Sequence, residues 1–203
     1  MQINQFAAPL GAEVADFDVR TLGAAGEKPS DLWRQLNEAF CEHHVLVFRN
    51  QQLTPEEHMA FASHWGTLVR HPYSALADYP EIIELKNHGK RGDVNQHWHS
   101  DMTYNAEPPK LTMLYALETP QLGGATAFAN QILAYEELSS GMRGLLDDLE
   151  AEHSAAGLAA LYKADPSEAP RATHPVVRTH DETGEKALYV CRAFTRKFIN
   201  WST

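Results

Sequence analysis

Apolar residues recur along this chain with two different periods. Between residues 31 and 40, Leu32, Leu36, Ala39 and Phe40 share one helical face, and Ser30 and Asp31 are placed to cap it. That helix leads directly into VLVF at 45–48, a strand-like run of apolar residues. A second helix has a sharper start: Thr54 as N-cap, Pro55 at the first helical position and Glu57 three residues on form a capping box. Phe61, Ala62 and Trp65 supply its apolar face, and Gly66 suits its end.

Further along, the period shortens. EIIEL at 81–85, LTMLYALE at 111–118 and ATAFA at 125–129 predict short strands between turns that carry Pro and Gly. Helical spacing returns from Ile132 to Leu138 and from Met142 to Glu152, with Ser139 or Ser140 as the cap between. VVRTH at 176–180 and ALYV at 187–190 predict a strand pair joined by Asp-Glu-Thr-Gly. The polar, proline-bearing run 163–173 predicts a mobile loop. Neither a repeat nor a linker divides the chain, so residues 1–203 read as one domain, mainly β with flanking helices rather than doubly wound.

Composition narrows the partners. A net charge of −10 on 203 residues argues against nucleic acid or an anionic membrane surface, which select basic patches, while leaving room for a small anionic ligand met by a few local groups. No apolar run approaches the ~18 residues of a membrane span. The N-terminus lacks the basic and apolar regions of a signal peptide. Cys41 and Cys191 form neither a metal spacing nor a disulfide framework. A reducing cytoplasm is the expected location, with Cys41 as a small core residue.

The chemistry concentrates in Asn95-Gln96-His97-Trp98-His99-Ser100-Asp101-Met102-Thr103-Tyr104. In an extended strand, residues two apart share a face, so His99 and Asp101 can present an imidazole and a carboxylate to one cation. With one more histidine, such a pair makes the facial triad suited to non-haem Fe(II), leaving positions open. The bare motif is unspecific. Eleven histidines and about ten aspartates produce roughly half an H-x-D by chance in a chain of this size. His97 extends the string to H-x-H-x-D, as in metallo-hydrolases, but Met102 stands where a further histidine would end it.

Context decides between these readings. WHSDMTY, the Pro108-Pro109 pair, a following strand and GGATAFAN together resemble the TauD/TfdA family of Fe(II)- and 2-oxoglutarate-dependent dioxygenases. PLGAEVADFDVR (9–20), VLVFRNQQLTPEEHMAFASHWG (45–66) and HPVVRTHDETGEKALYV (174–190) are similar to further segments of that family, in its order. The resemblance implies a double-stranded β-helix, a jelly-roll of the clavaminate synthase-like kind. It implies Fe(II) as cofactor, held by His99 and Asp101, and 2-oxoglutarate as co-substrate, with the Thr126 hydroxyl at one of its carboxylates. Dioxygen and a small organic anion, such as a taurine- or alkylsulfonate-like molecule, would complete the reaction. Alkyl sulfates and aryloxyalkanoates are the alternatives.

By the same resemblance, His71, Tyr73 and Asn95 meet the anionic head of the substrate, Tyr73 from a local spacing (HPY) shorter than the family's. Considered alone, His71 before Pro72 is a turn residue. His153, His174 and His180 match positions that are not metal ligands and are expected to be structural or exposed. His43, His44, His58 and His64 are expected on the surface, and Trp98 beneath the metal loop. Homo-oligomerisation stays open. The family's distal histidine ligand and its 2-oxoglutarate-binding arginine would follow a later strand, whereas the chain ends at FINWST. The expectation is therefore a β-helix incomplete at its C-terminus, weak in iron binding and activity by itself or dependent on another chain.

Overall fold

The computed structural model describes residues 1–23, 30–86 and 97–201. Its backbone groups into two compact units built from interleaved stretches: residues 1–69 with 110–130, and 70–109 with 131–203.

In the first unit, β1 (Gln2–Gln5) pairs antiparallel with β2 (Ala12–Ala15), and β2 pairs in parallel with the short β3 (Leu46–Val47). Parallel neighbours need a crossover, and α1 (Asp31–His43) supplies it. The predicted start of α1 is the observed one: the Ser30 side chain accepts from the Trp33 N–H. Its end is a His44 in the left-handed region at φ 64°, whose N–H reaches the Phe40 carbonyl. α2 (Pro55–Ala62) has the full capping box, with Thr54 and Glu57 each accepting from the other's backbone, and continues as a 3-10 turn to Trp65 before Gly66 at φ 132°. Val14, Val19, Leu36 and Phe61 form the core between these elements, with Phe17, Phe48, Trp65 and Met113 packed around it. His43 belongs to this interior, 8% exposed, rather than to the surface as expected, because it lies on the face of α1 that carries Leu36 and Ala39.

The stretch 111–118 departs from expectation. Along 111–116 its side chains alternate between half-buried (Leu111, Met113, Tyr115) and exposed (Thr112, Leu114, Ala116), as on a strand. It nevertheless joins no ladder among the described residues, and neither do 81–85 nor 125–129. A strand is defined by a partner as much as by its own pattern, and alternation alone supplies none.

In the second unit, α3 (Gln131–Glu136) and α4 (Ser140–Leu146), the latter capped by Ser139, precede a three-stranded sheet. β4 (Glu150–Ser154) pairs antiparallel with β5 (Arg171–Pro175) and β8 (Thr195–Phe198). Residues 150–152 are thus strand where helical spacing had been extended through them, since the EAEHS run finds partners on both edges. The predicted loop 163–173 instead holds a short 3-10 turn at Pro166–Glu168, capped by the Asp165 carboxylate, and the start of β5. α5 (Ala156–Leu161) precedes it. The predicted hairpin is present as β6 (Val177–Thr179) with β7 (Lys186–Leu188). One core cluster gathers Tyr135, Ala151, Val176 and Val177; another gathers Tyr104, Ala155, Ala159 and Ala169.

Candidate functional site

His99 and Asp101 converge. Nε2 of His99 lies 3.1 Å from Oδ1 of Asp101. The backbone that achieves this is a loop entering a turn at 101–104, not an extended strand. Met102 takes the left-handed conformation at φ 52°, and the Asn105 N–H closes back on the Met102 carbonyl at 2.9 Å. The other imidazole nitrogen is committed: Nδ1 of His99 lies 2.7 Å from the His97 carbonyl oxygen, which can only accept, so Nδ1 carries the hydrogen. That arrangement fixes the tautomer in which Nε2 offers its lone pair, the second contact that metal-binding histidines commonly make.

The donor set fits a divalent cation in its chemistry: one imidazole nitrogen and one carboxylate oxygen, 3.1 Å apart, are the kinds of donor a non-haem metal takes. Without a metal, a proton takes that place. The hydrogen bond to Asp101 raises the His99 pKa to about 9, with burial opposing and the His97 carbonyl assisting. A proton and a metal ion compete for the same lone pair. No group of three or more His, Cys, Asp or Glu poised for a metal occurs among the described residues.

The loop rests on aromatic support. The Phe194 ring meets His99 edge-on at 5.9 Å and Tyr104 at 5.0 Å. Tyr104 is 1% exposed, and its hydroxyl pKa is pushed up to about 12 by burial first and by the Asp101 charge second. Trp98, expected beneath this loop, is instead 61% exposed: the His99 imidazole is largely covered, whereas Trp98 before it and the Asp101 carboxylate after it remain open to solvent.

His71 and Tyr73 belong to the same unit. Nδ1 of His71 accepts from the backbone N–H groups of Tyr73 (3.3 Å) and Ser74 (3.1 Å), so the imidazole caps its own turn. Burial lowers its pKa, with the Asp101 charge working the other way, so it is neutral at physiological pH. A neutral ring that accepts at Nδ1 carries its hydrogen on Nε2, which makes it an N–H donor rather than a cation. Tyr73 stacks on Tyr162 (centroids 5.8 Å, 16° between planes), and His71 meets both rings near 6 Å. Tyr162, at the C-terminal end of α5, has no sequence signal of its own. Only the fold brings it to His71 and Tyr73 from some ninety residues away.

Thr126 lies in the first unit, exposed, just after Gly123 and Gly124, both at positive φ (79° and 71°). A side chain at Gly124 would meet the Pro120 ring at 3.0 Å, so the double glycine allows a tight turn ahead of the threonine. Asn95 lies outside the described residues.

These observations describe a β-sheet protein bearing a convergent histidine–carboxylate pair on a loop braced by aromatic rings, the kind of scaffold on which non-haem metal sites are built. A family profile described as taurine catabolism dioxygenase TauD, TfdA family, matches residues 2–203, and the chain belongs to the TauD/TfdA family. It is 31% identical to an alkylsulfatase of Acinetobacter baylyi, over 97% of this chain and 64% of that protein. It is 32% identical to an alpha-ketoglutarate-dependent 2,4-dichlorophenoxyacetate dioxygenase of Cupriavidus pinatubonensis, over 88% of this chain and 69% of that one. The chain therefore spans less than two-thirds of the alkylsulfatase's length. Among solved structures, it resembles a putative alpha-ketoglutarate-dependent taurine dioxygenase from Burkholderia xenovorans (TM-score 0.76, 26% identity, 99% of this chain and 69% of that one). A second is AAD-2 in complex with Mn(II) and N-oxalylglycine (TM-score 0.74, 25% identity, 99% and 73%). The fold is the double-stranded β-helix of these neighbours, as the sequence resemblance implied. No helix among the described residues is long and apolar enough to cross a membrane.

Proposed function

We propose that this chain carries the metal-binding portion of an Fe(II)- and 2-oxoglutarate-dependent dioxygenase that hydroxylates a small organic anion. The observation that supports the reading most directly is the 3.1 Å approach of His99 Nε2 to Asp101 Oδ1, with Nδ1 already tied to a carbonyl. When bound, Fe(II) supplies the dioxygen chemistry, in which 2-oxoglutarate leaves as succinate and CO2 while a substrate carbon is hydroxylated. His99 and Asp101 hold the metal on one side and keep their own orientation through the turn at 101–105. Thr126 binds a 2-oxoglutarate carboxylate through its hydroxyl. The N-oxalylglycine bound by AAD-2 has the 2-oxoglutarate skeleton with an N–H in place of a methylene, which favours that co-substrate here.

His71 donates through Nε2 to an oxygen of the anionic head, Tyr73 adds a hydroxyl, and Asn95 an amide. The names of the relatives cover a sulfate ester and an aryloxyacetate, both organic anions, and the substrate reading is a sulfonate or sulfate of the taurine or alkylsulfonate kind. Cys41 and Cys191 as thiols suit the reducing cytoplasm in which we place it.

Titration of Mn(II), followed by electron paramagnetic resonance of the free ion, tests the metal pair. His99→Ala and Asp101→Ala should each weaken Mn(II) binding by more than about tenfold, since loss of even an outer partner costs that much. Unchanged binding in both variants would refute the assignment. Succinate release that depends on 2-oxoglutarate and responds to sulfonate or sulfate ester addition tests the reaction.

A further inference from the structure

We propose that His153 and His174 are positioning residues, a two-point clamp that holds the His99–Asp101 loop against the β4–β5 sheet through Thr103 and Asn105. The metal-ligand reading gives the clamp its purpose, but its existence rests on contacts that do not involve His99 or Asp101.

In the register of the two strands, Ala151 faces His174 and His153 faces Ala172, so the histidines are diagonal neighbours on one face of the sheet. Both are interior: His153 is 0% exposed and His174 7%. His153 Nδ1 lies 2.9 Å from Thr103 Oγ1, and His174 Nε2 donates to the Asn105 carbonyl at 2.9 Å. Between these anchors Tyr104 is buried. Three consecutive residues, 103 to 105, are thus fixed by a bond, by burial and by a bond, and a single residue separates them from Asp101. The backbone bond from Asn105 N–H to Met102 O completes the turn.

The arrangement is expensive for a core. Nε2 of His153 is buried with no hydrogen-bond partner, and an apolar side chain would leave no such orphan. An unpaired acceptor is tolerated better than an unpaired N–H, so the hydrogen sits on Nδ1 and is donated to Thr103. What the imidazole adds over an apolar ring is that directional bond. Its orientation is held from the far side: Tyr189 stacks on His153 (5.8 Å, 25°) and meets His174 edge-on (5.4 Å, 89°), with the Arg178 guanidinium 4.7 Å above the tyrosine ring. Burial, and His174 after it, drive the His153 pKa down to about 4, so the ring stays neutral and keeps a single donor for Thr103.

Amide hydrogen exchange on the intact chain separates a clamp from mere packing. His153→Ala and the isosteric Thr103→Val should each speed exchange at 101–105 by about fivefold to tenfold, the equivalent of one lost hydrogen bond, while β4 and β5 hold. The double variant should match either single one, because both remove the same bond. His153→Asn, whose amide nitrogen overlays Nδ1, should restore protection at 101–105. Exchange at 101–105 unchanged in Thr103→Val, or accelerated equally along β4 and β5, would overturn the clamp. Mn(II) binding indifferent to His99→Ala would instead defeat the metal assignment, and leaves the exchange result to be read by itself.

Discussion

At the scale of single residues, the imidazoles divide by what each nitrogen faces. His153 is the clearest case for titration. It is uncharged in the fold, with its pKa pushed to about 4, against about 6.5 in an unfolded chain. Between those values the unfolded chain takes up a proton that the folded one refuses. Stability is therefore complete above pH 6.5 and falls as the pH is lowered, by about 2 kcal/mol at pH 5. His99, with its raised pKa, favours the folded chain over the same interval, so the reading is a difference: between pH 7 and pH 5 the urea midpoint of the parent chain should fall relative to that of His153→Asn. His99 and Asp101 were legible as a pair through the surrounding WHSDMTY string, although a turn, and not the extended strand that the two-residue spacing assumed, brings them together. The roles of His153 and His174 were not. Nothing near EHS or THP in sequence says that their rings reach back some fifty to seventy residues to Thr103 and Asn105. Likewise His43 is buried and Trp98 exposed because the facing element, absent from any local window, decides which side of a helix or loop is inside.

At the scale of elements, signals carried by neighbouring residues survived and signals requiring a partner did not. The Ser30, Thr54 and Ser139 caps mark observed helix starts because a cap is a bond within three residues. Thr54→Ala removes the side-chain half of a reciprocal box and should cost about 1 kcal/mol, a fall in Tm of about 2–4 °C, with Thr54→Ser close to the parent in a thermal melt. Strands 150–154 and 195–198 exist because of one another and of 171–175. A helical period in 142–152 could not reveal that, and the Thr195–Phe198 strand was not anticipated. The reverse error, expecting ladders at 111–118 and 125–129, has the same cause: a strand pattern specifies a face, and pairing is settled elsewhere.

At the scale of the whole molecule, each unit carries buried clusters of its own. The first unit depends on Val14, Val19, Leu36 and Phe61, and Leu36 is fully buried there. Leu36→Ala should cost about 2–5 kcal/mol, measured by denaturant unfolding. The same variant should disturb the near-ultraviolet signal of the Trp33–Trp65 contact, 6.1 Å between ring centres. The mainly β character, the flanking helices and the family resemblance were readable from the order of motifs along the chain. The interleaving of the two units was not, since it joins residues 110–130 to the N-terminal stretch across forty residues of the other unit.

The His71 turn carries a consequence for inhibitor chemistry. Because two backbone amides occupy Nδ1 and burial keeps the ring neutral, this histidine would greet a ligand's head group as a hydrogen-bond donor and supply no counter-charge. Under the substrate reading, an uncharged methyl sulfone of matching shape should compete with the corresponding sulfonate within about one order of magnitude, since a neutral bond is worth only about 1 kcal/mol less than a charged one. Competition binding in which the sulfone fails altogether would show that formal charge, supplied from elsewhere, governs entry.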